Sequence, residues 1–438
     1  MWEFEEKGIP VHQLKVGMYV SRLDIPWSNT NYPLQGILIQ SQKDIERLSL
    51  YCQQVFIDVA KSRGAQEPLV QLLPKRAAEK PGPAATKKAR PPSWRKRHCV
   101  ENYKTTTPLK KELERSAEIF DTLERQVYLL CEHTFRCRRA NLEELVESTS
   151  QIVESIIRNP DAFAWLCRIR DSRKPIYMHI IRLAVWGGIV GRQLGLNRFS
   201  LTHLCFALLM TGIGKSRIGD AALESFRPGK PSEAYQKHLH ETLYQLKEIR
   251  FSNESVVDTL ADYCERIDGS GYPAGKQGNE IPFLSQICGL IETFELLINP
   301  YDASRAVSPA NAIVYLNRCK GVVFEESLVE AFIKAIGIYP TGTLVELNNG
   351  TLGVIHSQNY EKRLRASVIP ILSEHGNIID KLEVMDLSYS SESGSGGDNV
   401  YIRRGVPSNN IPRGLLERAH QWMYLRQTGV KGFFQRRR

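Results

Sequence analysis

No Cys-x-x-Cys pair occurs anywhere in the 438 residues, and the cysteines number nine, an odd count. That spacing supports neither a disulfide framework nor a zinc ribbon. Long apolar runs are also missing. The longest, residues 204–210, falls far short of the ~18–20 residues that span a bilayer. The first residues are acidic where a secretory leader needs a basic start and an apolar run. A reducing cytoplasm is the resulting expectation. Neither disorder nor extreme composition applies, since 42% of residues are hydrophobic and 24% charged. The net charge of +10 hints at an anionic partner, but its location removes most of the hint. Residues 75–98 carry +8 and residues 431–438 carry +4, so everything else sums to −2.

The length suggests two to four domains. Residues 1–65 read as a small mixed α/β domain. Strands are expected at 15–20 and 36–40, a helix at 41–53 capped by Ser41, and a closing strand at 54–59. Residues 66–107 form a linker whose centre, 74–98, is rich in Pro, Ala and basic residues. From 108 to 336 the apolar positions recur near 3.6-residue spacing, with clear stripes at 141–157, 176–194, 201–210, 238–249, 256–263, 287–297 and 309–316. After 337 the period changes. Alternating runs at 342–347 and 351–355, joined by Asn348-Asn349-Gly350, give a strong hairpin signal, and 366–372 continues the strands. Residues 391–397 read as a flexible loop and 415–426 as a short helix. The fold class is therefore mainly α, with an all-helical domain between a small α/β domain and a β-rich extension over 337–438.

The densest turn signal is the run Glu265, Arg266, Ile267, Asp268, Gly269, Ser270, Gly271, Tyr272, Pro273. Two glycines and a proline specify a fixed loop, with φ > 0 available at Gly269 and Gly271. A plain helix–helix connection accounts for Gly and Pro, though not for the acid pair and the exposed-looking Tyr272. This segment resembles the loop that names the HD-GYP family, helical metal-dependent phosphodiesterases that hydrolyse cyclic di-GMP. Tyr177 to His179 with Arg182 is similar to the family's first histidine helix. Leu208 to Lys215 resembles the helix ending in His-Asp-x-Gly-Lys, and 238–249 resembles the third histidine helix. Residues 282–294 are similar to the helix carrying the last aspartate. The segment 16–36 resembles the small domain often fused ahead of such proteins, and 339–350 resembles the β extension often found after them.

The resemblance implies an all-helical HD-type fold and a site holding two or three Fe or Mn ions about 3.5–4 Å apart around an activated water. Carried over residue by residue, His179 and His238 match that site and Glu292 stands in for the final aspartate. Thr211 and Gly212 replace the His-Asp pair with its bridging carboxylate, and Tyr263 and Cys264 replace a His-His pair. Pro175 occupies the place of an acid used in three-metal versions. Losing four ligands should weaken metal binding well beyond the 10–100-fold typical of lost outer partners. A rebuilt site would have to recruit Cys264 as thiolate, or His240 or His203. The bland alternative makes Cys264 a small buried hydrophobe and His240 a surface residue.

Lys215 either meets a phosphate oxygen or serves as a helix C-terminal cation. The recognition loop of Glu265, Asp268, Gly269, Gly271, Tyr272 and Pro273 is intact. In the family it lies by the ligand pocket and is linked to diguanylate cyclase domains; scaffolding alone would also preserve it. The family's arginine-bearing phosphate clamp is replaced by residues 300–304, with Arg305 the nearest cation. The leading expectation is a catalytically inactive HD-GYP protein of cyclic di-GMP signalling. It would need no cofactor and act by binding partner proteins, with the nucleotide as a second ligand. The alternative is a residual phosphodiesterase with two Fe or Mn ions at His179, His238, Glu292 and Cys264. A nucleic-acid adaptor using 75–98 with Trp94 ranks third, because no stacking platform accompanies the run.

Overall fold

The computed structural model describes residues 6–16, 18–24, 37–39, 42–58, 101–132, 139–169, 174–357, 366–387, 400–406, 414–415, 417–419 and 421–422. Contacts divide the chain into two compact units, Met1–Pro74 and Lys75–Arg438. In the first, β1 (Glu6–Pro10), β2 (Tyr19–Leu23), β3 (Ile37–Leu38) and β4 (Gln54–Asp58) form an antiparallel sheet in the order β1-β4-β2-β3, with α1 over Gln42–Ser49. The strand expected from residue 15 begins only at Tyr19. The Met18 amide donates to the Lys15 carbonyl at 3.1 Å, a local bond that an extended strand does not make. Strand β1 escaped the sequence reading because Gly8 and Pro10 look like breakers. It is an edge strand, where a missing N–H is tolerated. The helix stops at Ser49 and leaves Leu50 exposed. Its expected cap, Ser41, lies outside the described residues, as do the linker centre 74–98 and the loop 391–397.

The second unit is mainly α. Helices α2 (Leu109–Glu132), α3 (Arg139–Arg158), α4 (Pro160–Ile169), α5 (Pro175–Leu194), α6 (Arg198–Met210) and α7 (Gly212–Lys215) come first. They are followed by α8 (Asp220–Glu224), α9 (Glu233–Glu248), α10 (Glu254–Ala261), α11 (Phe283–Ile298), α12 (Pro309–Cys319) and α13 (Glu326–Ile336). Local chemistry fixes many of the starts. Asn197, Ser232, Asn253 and Ser308 accept from amides in the first turns of α6, α9, α10 and α12, and Pro175 occupies the first turn of α5. Helix α5 is apolar almost all round, and such a helix belongs at the centre. It packs against α2, α3, α4, α6, α7, α11 and α13.

The β-rich end is a five-stranded antiparallel sheet, β8-β7-β6-β5-β9. Its strands are β5 (Leu344–Leu347), β6 (Leu352–Ser357), β7 (Ser367–Leu372), β8 (Met385–Asp386) and β9 (Ile402–Gly405). Gly350, at φ 84°, makes the expected turn between β5 and β6. Strands β8 and β9 were not expected; one is only two residues long, and the other runs Ile402-Arg403-Arg404-Gly405. Of the helix expected at 415–426, the described residues are helical and the remainder lies outside them.

A bidentate pair ties α2 to α3. Arg158 Nε and Nη2 donate to Glu112 at 2.9 and 2.7 Å, and the glutamate is fully buried. Burial pushes Glu112 up, but the bonded Arg158 guanidinium and Ser155 hydroxyl offset this and hold it below the usual carboxylate range. A folded value below the unfolded one stabilises the fold above the unfolded pKa, and that stability is lost as pH falls through the folded value. Acid titration of the thermal midpoint should therefore fall more steeply below pH ~4.5 for the wild type than for Glu112→Gln.

Candidate functional site

Four short stretches converge on one buried polar cluster beside α5. His179 comes from α5, Thr211 and Lys215 from the ends of α7, Tyr235 and His238 from one face of α9, and Glu292 from α11. Lys215 is 0% exposed, His238 0%, His179 1% and Glu292 4%. The Lys215 Nζ donates to Glu292 Oε2 at 3.1 Å and to Thr211 Oγ1 at 3.2 Å. The Tyr235 hydroxyl donates to the other oxygen, Glu292 Oε1, at 2.5 Å. Burial alone would raise Glu292, yet the Lys215 ammonium beside it, with His238 and the Tyr235 hydroxyl, holds it below the carboxylate range. Glu292 is therefore a carboxylate held against Lys215.

Both nitrogens of His238 are used. Nδ1 bonds the Tyr235 carbonyl, which only accepts, so Nδ1 carries the proton and Nε2 accepts from the Tyr263 hydroxyl. Burial, the largest influence, lowers the ring to about 4 and keeps it neutral. His179 differs, because neither ring nitrogen has a partner. Its ring lies 5.2 Å from that of Tyr301, and burial together with the Lys215 and Arg182 charges holds it well below the ordinary histidine range. Cys264 Sγ sits 3.8 Å from His238 Nε2, with its thiol pushed up to about 12 by burial, so it stays protonated.

The loop after α10 is built around Glu265. Its two carboxylate oxygens accept from the amides of Ala274 and Lys276 at 2.7 and 3.0 Å, closing a turn of about ten residues on one buried side chain. Lys276 in turn pairs with Asp262. Asp268 is exposed and accepts from the amide and hydroxyl of Ser270. Positive φ occurs at Gly269 but not at Gly271, contrary to the expectation for both. Gly271 is required for another reason: a Cβ there would stand 2.4 Å from Glu265 Cα and the Arg266 amide nitrogen. Tyr272, expected outside, is half-buried, and its ring meets His238 edge-on at 6.4 Å. Pro273, which follows through a cis peptide, is exposed.

Lys215, read either as a phosphate contact or as a helix C-terminal cation, ends α7 and donates to Glu292 and Thr211. His240 is exposed and stacks on Tyr244, while His203 is buried against Thr259 on α10, so neither joins the cluster. Arg305 pairs with Asp302 and the Glu224 carbonyl. Two members went unread in the sequence. Tyr235 precedes His238 by three residues on one helix face, and Glu295 follows Glu292 by three. That spacing is the signal that would have found both. Glu295 is fully buried and accepts from Arg182 Nε, from Trp186 Nε1 at 2.9 Å and from Asn299 Nδ2 at 3.0 Å, which binds α11 to α5 directly beneath the cluster.

Comparison with known proteins places these features in a lineage. A domain of unknown function (DUF3391) matches residues 6–158, and the HD domain matches 158–328. A cyclic di-GMP phosphodiesterase of Pseudomonas aeruginosa is 26% identical over 397 residues, covering 88% of this chain and 90% of that protein. The chain belongs to the HD-GYP family. Two further relatives match shorter stretches. Borreliella burgdorferi PdeB, a cyclic di-GMP phosphodiesterase, is 24% identical over 53% of this chain and 60% of its own length. A 3′3′-cGAMP-specific phosphodiesterase of Vibrio cholerae is 27% identical over 40% and 38%.

The donor set of this HD-GYP chain does not fit the family's metals. Both oxygens of Glu292 and both nitrogens of His238 already have partners, and Cys264 is a thiol. A Cβ on Gly212 would lie 2.4 Å from Ile180 Cδ1, so a carboxylate there would require that side chain to move. Among the described residues, no group of three or more His, Cys, Asp or Glu is placed to hold a metal ion. No described helix is long and apolar enough to cross a membrane.

Proposed function

We propose that this HD-GYP protein acts in cyclic di-GMP signalling without hydrolysing the nucleotide, by binding a partner protein through the 265–276 loop. The observation that carries the reading is the Lys215–Glu292 pair. It commits the one remaining carboxylate of the family's ligand set to a partner within the chain. Without a metal to lower the pKa of a bound water, hydroxide at neutral pH needs a general base. His238 is neutral but already accepts from Tyr263, and His179 has no carboxylate to orient it. The loop, by contrast, is held rigidly by Glu265 and presents Asp268, Ser270 and Pro273 outward. A diguanylate cyclase domain is the partner that the family resemblance suggests.

Full-length protein incubated with Mn²⁺ or Fe²⁺ and cyclic di-GMP should release neither linear dinucleotide nor GMP above the metal-only background. Turnover that disappears in His179→Ala would overturn the reading and establish a residual phosphodiesterase. Calorimetry with cyclic di-GMP then tests the nucleotide as a second ligand. Titration with a diguanylate cyclase domain tests the loop, and Asp268→Arg should abolish any binding seen.

A further inference from the structure

The side chains that meet Lys215 come from the positions whose counterparts hold metal in the family. Its Nζ touches Thr211 and Glu292 directly, at 3.2 and 3.1 Å. It also stands 5.9 Å from the centroid of the Tyr263 ring, within cation–π reach. Tyr263 bonds His238 Nε2, and Tyr235 bonds both Glu292 and, through its carbonyl, His238. One ammonium is thus joined, directly or through a single intermediate, to four of the seven ancestral ligand positions. Helices α7, α9 and α11 are all tied to it.

We propose that the Lys215 ammonium is the resident cation of this pocket, doing the charge-balancing and helix-tethering work of a metal centre. The reasoning is electrostatic. A carboxylate as buried as Glu292 stays ionised only with a cation against it, because an unpaired buried charge is very costly. Metal ions would supply that charge and bind helices from several directions. A lysine at the end of α7 supplies one unit of charge from within the chain, with three donors to spread over its neighbours. Thr211 accepts from it at 3.2 Å. The family's motif carries a lysine at this place beside its metals; here the lost ligands leave that lysine as the cation against Glu292. This inference rests on the non-hydrolytic reading above.

Chemical rescue tests it. Lys215→Ala removes the ammonium and leaves Glu292 buried, and Lys215→Ala/Glu292→Gln removes both charges. Thermal midpoints are read for the full chain with EDTA, Mn²⁺ and methylammonium chloride, using NaCl at matched ionic strength as control. The wild type should be indifferent to all of them. Lys215→Ala should lose about 10 °C, and Mn²⁺ or methylammonium should restore a clear part of the loss where NaCl does not. The double variant should be more stable than Lys215→Ala and unresponsive to either cation. A wild-type midpoint that falls with EDTA would overturn the proposal. So would a Lys215→Ala protein that neither cation rescues, or a double variant no more stable than the single one. If Lys215→Ala does not fold, the double variant carries the decision: folding and ignoring cations supports the proposal, failing to fold overturns it. The two readings fail separately. Hydrolysis by a metal-indifferent wild type removes only the functional reading, whereas an inert wild type destabilised by EDTA removes only this one.

Discussion

Glu295→Ala should destabilise the helical unit by about 3–5 kcal/mol, read as a lower urea midpoint. The carboxylate is fully buried and serves three donors at once: Arg182, Trp186 and Asn299. Truncation to alanine leaves the Arg182 guanidinium, itself largely buried, without its counter-charge, and orphans the indole N–H as well. Removing one member of a buried pair costs far more than the pair contributes, because the remaining charge keeps its desolvation penalty. The effect also reaches the site. Arg182 and Trp186 are on α5, one and two turns beyond His179, and Glu295 is one turn beyond Glu292 on α11. Glu295→Gln separates charge from shape: it keeps an acceptor for Arg182 or Trp186 but removes the negative charge. Its loss should fall between wild type and alanine. If alanine costs under about 1 kcal/mol, then water reaches Arg182 and the pair is not the clamp described.

The helical domain was legible because burial wrote itself into spacing. The stripe at 176–194 reproduces α5 to within a residue at its start, with Pro175 at the first turn and Gly195 in a left-handed cap. The retained loop was legible as a motif, yet its physics was not. Nothing in the run around Gly271 distinguishes a residue needing positive φ from one that allows two backbones to touch. The site divided in the same way. The family resemblance named His179, His238, Glu292 and the four replaced positions. It left Lys215 between a phosphate contact and a helix C-terminal cation, because pairing depends on which helix end faces which helix side. Glu292 is 77 positions further along the chain, and no local pattern links the two. Tyr235 and Glu295 were missed although each lies on the same helix face as a flagged residue. Tyr263 was read only as a missing histidine, whereas its hydroxyl donates to Nε2 of His238, the ring nitrogen that carries no proton.

Gly214→Ala should be about as damaging, at 3 kcal/mol or more, with partial loss of soluble protein at 37 °C. The argument starts from distance. A Cβ on residue 214 would stand 2.0 Å from the His238 carbonyl oxygen, 2.3 Å from Thr242 Oγ1 and 2.6 Å from the Thr242 amide nitrogen. Two of the three are backbone atoms inside α9, so no side-chain rotation relieves the clash and one helix must move. Helix α7 is only four residues long, with Lys215 its last, and it will give way before α9. Pushing it back by even an ångström stretches the 3.1 Å contact between Lys215 and Glu292 beyond hydrogen-bond range. The cost therefore has two parts, overpacking against α9 and a weakened buried ion pair. A double-mutant cycle separates them. Combined with Lys215→Ala/Glu292→Gln, Gly214→Ala should cost clearly less than in the wild type, because only the overpacking part remains. Equal costs in the two backgrounds would mean that α9 moves instead and the ion pair survives. Asn253, which caps α10, lies well outside this contact, and Asn253→Ala should add its ordinary cost of about 1 kcal/mol in both backgrounds.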